Sequence, residues 1–153
     1  MILYHLDKWK YRNIWPPEGT LYADGRWNKP GQWIIYTSST ISLAKLEILA
    51  NENNIPIKRV CMTIEVPDSI DIFEVNIEAL PKNWMAKPYP SQLFNYTSEF
   101  LKSGKLLMRI PSAQSYREHN ILIHVRHPKF NELVKLSNVS EEPFDTRLRK
   151  GHL

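Results

Sequence analysis

The sequence has little cysteine, little glycine and no long hydrophobic run. Cys61 is its one cysteine, so an internal disulfide is excluded, and the strand-like residues around it indicate a buried, inert thiol. Apolar runs are only a few residues long, and Asp7 and Lys8 interrupt the N-terminal one before a signal-peptide core could form. We therefore expect a cytoplasmic protein without a membrane segment. A chain of 153 residues supports one core rather than two, which predicts a single domain over 1–153.

No charge of one sign dominates the chain. Its 20 basic and 16 acidic residues leave a net charge of +4, and the basic residues are scattered apart from Arg147, Arg149 and Lys150. Proteins that bind nucleic acids usually concentrate Lys and Arg on one face, with aromatic residues between them. We therefore predict no direct nucleic-acid binding, and we expect Arg147 to anchor the C-terminal segment through an ion pair.

A metal site is also not expected. His119, His124 and His127 occur in a strand-like segment, where their spacing would spread the rings, and no cysteine lies nearby.

The pattern of apolar and turn-forming residues predicts an α+β fold with short strands in mixed or antiparallel sheets. A helix is predicted from Ile41, capped by Ser38, Ser39 or Thr40, and a second over residues 91–103 with Gly104 as its terminator. Residues 81–90 are rich in proline and are expected to be irregular. The first helix has a predicted core stripe of Ile41, Leu43, Leu46, Leu49 and Ala50. Strands are predicted at 2–6, 33–36, 59–66, 71–75, 105–110, 120–125 and 132–136.

The loop at residues 25–31 is the most informative local feature. It places Arg26 beside Trp27 between Gly25 and Gly31. A guanidinium matches phosphate oxygens, and glycine lets the backbone approach them, so this loop favours a phosphate-bearing aromatic ligand. Glu47 lies four residues after Leu43 on the predicted helix and should therefore border its apolar face.

Several motifs, taken in order, resemble the RES domain family, which is named for its Arg, Glu and Ser and includes the toxins of RES–Xre toxin–antitoxin pairs. They are GRWN at 25–28 with Gly31, YTS at 36–38, LAKLE at 43–47, IEVP at 64–67, LKSG at 101–104, RIPSA at 109–113, Asn120 with HP at 127–128, and FDTRL at 144–148. The resemblance covers most of the chain.

The resemblance implies a fold similar to that of ADP-ribosyltransferases and an enzyme that consumes NAD⁺ by hydrolysis, phosphorolysis or transfer of ADP-ribose to a protein. It also implies a cognate Xre-type helix-turn-helix antitoxin as partner, NAD⁺ as substrate rather than cofactor, and phosphate as one candidate acceptor. Arg26, Tyr36, Glu47 and Ser112 match the positions that the family uses to bind or cleave NAD⁺.

The reaction needs few groups. Cleavage of the nicotinamide–ribose bond passes through an oxocarbenium-like centre, and nicotinamide leaves as a neutral ring that needs no proton, so one carboxylate can suffice. Glu47 would stabilise that centre and Arg26 would hold the diphosphate. The predicted catalytic residues are Glu47, Arg26 and Tyr36. The predicted substrate-binding residues are Arg26, Tyr36, Ser112, Trp27 and Asn120, with Tyr36 lining the nicotinamide pocket, Ser112 bonding a ribose or phosphate oxygen, and Trp27 supporting its loop.

Each assignment has a structural alternative. On local sequence alone, Arg26 is more typical of a surface residue, Tyr36 of a core residue, Glu47 of a solvated helix flank and Ser112 of a turn. Their joint match to one ordered pattern favours the site roles instead. Asn120 could order the site or satisfy buried backbone groups.

Alternative functions also stay open. They are a protein ADP-ribosyltransferase, a ribonuclease toxin using His119 or His127, and an interaction module without activity. The acceptor, the identity of the antitoxin, the oligomeric state and the activity of the isolated chain are left undetermined.

Overall fold

The computed structural model describes residues 1–52, 54 and 58–148. Within this part of the chain the strands are β1 (Ile2–Lys8), β2 (Ile34–Ser38), β3 (Lys58–Glu65), β4 (Ile72–Glu74), β5 (Leu107–Pro111), β6 (His119–His124) and β7 (Lys135–Pro143). The helices are α1 (Gly19–Tyr22), α2 (Ile41–Asn51), α3 (Leu93–Lys102) and α4 (Phe130–Leu133), with short 3₁₀ turns at Trp9–Tyr11, Ile77–Ala79 and Thr146–Leu148.

The strands form one mixed sheet in the order β4-β5-β6-β2-β1-β3-β7. Only the β4–β5 pair is parallel among the described strands, and the other neighbours are antiparallel. Strand β2 therefore lies between β1 and β6, and the chain leaves it directly into α2. The predicted α+β class with mixed strands and flanking helices is confirmed.

The core has two parts, one on each face of the sheet, because successive side chains of the central strands are buried in different clusters. Ile34 and Leu122 belong to one buried cluster, together with Leu93 and Phe100 of α3. Ile35 and Ile123 belong to the other, together with Phe130 of α4. Successive side chains on a strand point to opposite faces, so the short apolar runs in the sequence are strands buried on both sides.

The predicted helix at Ile41 is confirmed as α2, and Thr40 is its N-cap, accepting a hydrogen bond from the Leu43 amide at 3.1 Å. The predicted core stripe was partly wrong. Leu43 and Ala44 are the buried residues, whereas Leu46 is 41% exposed. Helix α2 packs on β1 and β2, so the sheet covers only a narrow stripe of it.

The strand predicted at 132–136 was wrong in its first half. Helix α4 contains Glu132 and Leu133, and β7 begins only at Lys135. A short apolar run is ambiguous between helix and strand, and here the burial of Phe130 at 4% exposure anchors a helical turn. The other predicted strands and the helix before Gly104 are confirmed within a few residues at each end.

Cys61 lies on β3, where it is 1% exposed and not disulfide-bonded. Burial raises the pKa of its thiol, which fits the expected inert role. None of the helices in the described ranges is long and apolar enough to cross a membrane.

Candidate active site

A cleft of about 360 Å³ opens where β2 meets α2. Strand β1, the loop after β5 and the loops around residues 24–27 and 87–89 complete its walls. This volume lies in the range of small-molecule sites. Five of the residues predicted from the sequence line the cleft, namely Arg26, Trp27, Tyr36, Glu47 and Asn120.

The Glu47 carboxylate is held by two hydrogen bonds to the same oxygen. Oε1 accepts from the Ser112 hydroxyl and from the Asn120 side-chain amide, each at 2.7 Å. No residue in the described part of the chain donates to the other oxygen, Oε2. One oxygen is thus fixed by the protein while the other remains available to a ligand.

Asn120 orders the site. Its Oδ1 accepts from the Ser38 hydroxyl at 2.7 Å, which leaves Nδ2 to donate to Glu47. Ser38 and Asn120 are register partners on β2 and β6, so the sheet itself positions this pair. Of the two interpretations that the sequence allowed for Asn120, the first therefore describes the structure.

Ser112 is hydrogen-bonded to Glu47 but does not line the cleft. Its residue is 1% exposed, directly after the end of β5. Its Oγ accepts from the amides of Gln114 and Ser115, each at 3.1 Å, and donates to Glu47. A buried turn thus aims the Ser112 hydroxyl at the Glu47 carboxylate. The expected bond from Ser112 to a ribose or phosphate oxygen stays a prediction.

The Arg26 side chain is hydrogen-bonded to the loop at 81–90. Its Nη1 donates to the carbonyls of Trp84 at 2.7 Å and Ala86 at 3.0 Å, and its guanidinium lies 5.1 Å from the centre of the Tyr89 ring. Burial lowers the pKa of Arg26 from its ordinary value, against the opposing effect of Tyr89 and Glu47. An arginine stays protonated under such a shift, so the cleft retains this positive charge.

Tyr36 braces the loop that carries Arg26. Its hydroxyl donates to Asn28 Oδ1 at 2.7 Å and accepts from the Trp27 amide at 3.2 Å, while the residue lines the cleft. Burial raises the pKa of Tyr36 above its ordinary value, so the phenol is neutral at pH 7. A Cβ at position 25 would lie 2.7 Å from the Tyr36 hydroxyl, which explains why Gly25 stands there.

Trp27 is 2% exposed, and its ring packs against Trp84 and Tyr96. Its backbone carbonyl accepts a hydrogen bond from buried Thr97. The ring is therefore used to support the loop, as the sequence suggested, and is not exposed for stacking on a ligand.

Sequence reasoning assigned no site role to several residues that shape the cleft. Ser38 had a signal, because it alternates with Tyr36 on the same face of β2. His5 lines the cleft from β1, with Nδ1 2.7 Å from the Tyr36 carbonyl oxygen. Lys87 and Tyr89 line it from an irregular loop, where no periodicity could have indicated them.

The histidines considered for metal or acid–base chemistry lie outside these walls. Both ring nitrogens of His127 are engaged, with the Gly104 carbonyl at 2.8 Å and the Lys129 amide at 3.0 Å. His124 packs edge-on against His127. No group of His, Cys, Asp and Glu suited to a metal ion occurs in the described ranges.

Arg147 is paired with Asp145 at 2.8 Å, as an ion pair near the end of the described chain. The other two members of the basic cluster, Arg149 and Lys150, lie outside the described residues.

Comparison with known proteins supports the same assignment of family. The chain is 30% identical to "Toxin Res" of Yersinia enterocolitica over 153 residues, which are 97% of this chain and 100% of that protein. It is also 30% identical to the "Prs ADP-ribosylating toxin" of Sphingobium sp. over 136 residues, covering 85% of this chain and 83% of the relative.

A solved structure shares the fold. The crystal structure of the M. tuberculosis MbcT–MbcA toxin–antitoxin complex contains a chain that superposes with a TM-score of 0.69 at 14% identity, covering 93% of this chain and 84% of that one. The profile of the family described as "RES domain" matches residues 2–147. The chain therefore belongs to the RES domain family.

Proposed function

We propose that this protein is a toxin that cleaves the nicotinamide–ribose bond of NAD⁺. The observation that carries the proposal is the Glu47 carboxylate at the cleft, with Oε1 held by Ser112 and Asn120 at 2.7 Å and Oε2 free of protein donors in the described chain. A carboxylate fixed in this way needs no reorganisation when positive charge develops beside it.

The bond breaks heterolytically. The electron pair of the C1″–N bond moves to the nicotinamide nitrogen and neutralises the pyridinium, while positive charge develops on the ribose carbon. Glu47 would stabilise this charge and accept hydrogen bonds from ribose hydroxyls through Oε2. In hydrolysis, water adds to C1″ and loses a proton to solvent, and in phosphorolysis a phosphate oxygen adds instead.

Arg26 and Tyr36 would hold the substrate around that carboxylate. The free edge of the Arg26 guanidinium suits the diphosphate, and Tyr36 would line the nicotinamide pocket with its ring because its hydroxyl is occupied by the loop. Trp27 and Asn120 would act as supports, without contact between the Trp27 ring and NAD⁺. No metal ion takes part in this scheme.

A second candidate is transfer of ADP-ribose to a protein. The 30% identity to a relative named an ADP-ribosylating toxin favours it. Its first step is the same, and only the acceptor differs, so Glu47 and Arg26 would serve both reactions.

We further propose that the protein acts in the cytoplasm and is neutralised by a cognate Xre-type helix-turn-helix antitoxin. The structural neighbour was solved as a toxin–antitoxin complex, which supports a protein partner of this kind. We expect no membrane association and no direct binding of nucleic acid by this chain.

The decisive experiment incubates the purified protein with NAD⁺, with and without inorganic phosphate, and identifies the products by mass. Nicotinamide with ADP-ribose means hydrolysis, and ADP-ribose 1″-phosphate formed only with phosphate means phosphorolysis. Glu47→Gln should lower kcat by about 10²–10³, as expected for loss of one preorganised group. Glu99→Gln, the same change on the exposed side of α3, should match the wild type. Intact NAD⁺ with folded wild-type protein would contradict both cleavage reactions.

A further inference from the structure

The loop at 81–90 carries two residues of the cleft wall, Lys87 and Tyr89, for which the scheme above has no role. We propose that Lys87 is a second phosphate-contacting residue and that Arg26 is the positioning residue that holds it over the cleft. This inference rests on the proposed function and names the group that would meet the diphosphate of a dinucleotide together with Arg26.

One nitrogen of the Arg26 guanidinium bonds the protein, and the other two are available to a ligand. Both hydrogens of Nη1 are used, one toward the Trp84 carbonyl at 2.7 Å and one toward the Ala86 carbonyl at 3.0 Å. Nε and Nη2 take no protein acceptor in the described chain, and neither is buried without a partner. The edge formed by Nε and Nη2 is the one that binds phosphate oxygens in a bidentate manner.

The loop is folded so that its carbonyls converge on that arginine. The Trp84 amide donates to the Pro81 carbonyl at 3.0 Å, and the Ala86 amide donates to the Asn83 carbonyl at 2.9 Å, giving successive tight turns. Trp84 itself is 4% exposed and packs against the Trp27 ring. Since its backbone is fixed at both Trp84 and Ala86, the loop presents the next residue, Lys87, at a defined place in the cleft wall.

Lys87 and Arg26 approach the same aromatic ring. The Lys87 ammonium lies 5.8 Å from the centre of the Tyr89 ring and the Arg26 guanidinium 5.1 Å from it. Lys87 is exposed and has no acidic partner within salt-bridge distance in the described chain, so its charge is available to an anion.

Two cations flanking one ring suit a ligand with adjacent phosphates. Three carboxylates also line the cleft, those of Asp24, Glu47 and Glu52, and Glu52 is paired with Arg59. Because these acidic groups would repel a diphosphate, a second cation beside Arg26 matters more than it would in a neutral cleft.

Steady-state kinetics with NAD⁺ test the role of Lys87. Lys87→Ala should raise KM about fivefold to tenfold with kcat unchanged. This increase corresponds to a binding free energy between that of an exposed ion pair and that of a hydrogen bond to a charged group. The increase should be smaller at high salt, because salt screens the charge of Lys87. Lys87→Arg should restore KM. Lys82→Ala, an exposed lysine of the same loop outside the cleft walls, should match the wild type.

A double-mutant cycle tests the role of Arg26. Arg26→Lys keeps the charge but loses the pair of carbonyl bonds, so it should raise KM less in a Lys87→Ala background than in the wild type. Hydrogen exchange of the amides at 82–90 should accelerate in Arg26→Lys and stay unchanged in Lys87→Ala.

The outcomes separate the two proposals. Wild-type cleavage of NAD⁺ with an unchanged KM in Lys87→Ala would overturn the assignment of Lys87, and additive effects in the cycle would overturn the positioning role of Arg26. Failure of the wild type to cleave NAD⁺ would contradict the proposed function and also the proposed role of Lys87, which depends on it.

Discussion

Replacing Ser112 by alanine removes the hydroxyl that connects a backbone turn to the Glu47 carboxylate. The wild-type Oγ donates to Glu47 at 2.7 Å and accepts from the amides of Gln114 and Ser115 at 3.1 Å each. Ser112 is 1% exposed, so water cannot easily replace the lost oxygen. One substitution should therefore affect both activity and stability.

The two effects have different sizes. Loss of a hydrogen bond to a charged group costs about 1.5–3 kcal/mol, and the lower end applies because Asn120 still holds Oε1. About 1.5 kcal/mol corresponds to roughly a tenfold decrease in kcat/KM. Two amides left without an acceptor should lower the free energy of unfolding by about 1–3 kcal/mol, which is roughly 3–9 °C in Tm for a chain of this size.

The assay combines NAD⁺ kinetics with thermal unfolding of the same preparation. Ser140→Ala, an exposed serine on β7, is the matched control and should leave both quantities unchanged. A Ser112→Ala protein with wild-type kcat/KM would refute the argument that this hydroxyl orients Glu47. A loss of stability without loss of activity would show that Ser112 stabilises its turn but does not contribute to catalysis through Glu47.

Two further predictions concern the brace between Tyr36 and its loop. Tyr36→Phe should lower the free energy of unfolding at pH 7 by about 1–3 kcal/mol, because the Trp27 amide and Asn28 Oδ1 lose their partner. The folded-state pKa of Tyr36 is raised by burial, so above about pH 10 the unfolded chain releases a proton that the folded one keeps, and stability falls as pH rises. Urea unfolding from pH 8 to 11 should show a shallower alkaline decline in Tyr36→Phe, and an identical decline would argue against a buried phenol. Gly25→Ala should cost about 1–3 kcal/mol, because its Cβ would meet the Tyr36 hydroxyl at 2.7 Å and Asn28 Oδ1 at 2.8 Å. Thermal melting of Gly25→Ala should show partial recovery when Tyr36→Phe is added, whereas a variant as stable as wild type would show that the loop can shift.

Much of the fold could be predicted from local pattern. Helix α2 was predicted from its apolar periodicity and from three candidate caps, Ser38, Ser39 and Thr40, and the structure shows that Thr40 is the cap. The errors arose where tertiary packing decides. Leu46 matched the apolar period of α2 but is exposed, because only one side of that helix is covered by the sheet.

The candidate site was predicted in part. Glu47 was expected at the border of an apolar helix face, and it lies at the cleft where α2 meets β2. Ser112 was expected to bond a ligand oxygen, and the structure adds that its hydroxyl donates to the Glu47 carboxylate. Residue types indicated which side chains gather at or beside the cleft, but they could not show which side chain would hydrogen-bond which neighbour.

The sequence by itself determined most of the strands and helices, the glycine-bracketed loop and the candidate residues of the cleft. Only the tertiary structure decided how they meet. Glu47 is 65 residues from Ser112 and 73 from Asn120, and Arg26 is 58 from Trp84. Such contacts depend on the order and register of the strands, which place Ser38 opposite Asn120 and bring the end of β5 beside them. Hydrophobic alternation shows that a strand is buried. It does not identify the neighbouring strand or the register, and these decide which polar side chains meet at the strand ends.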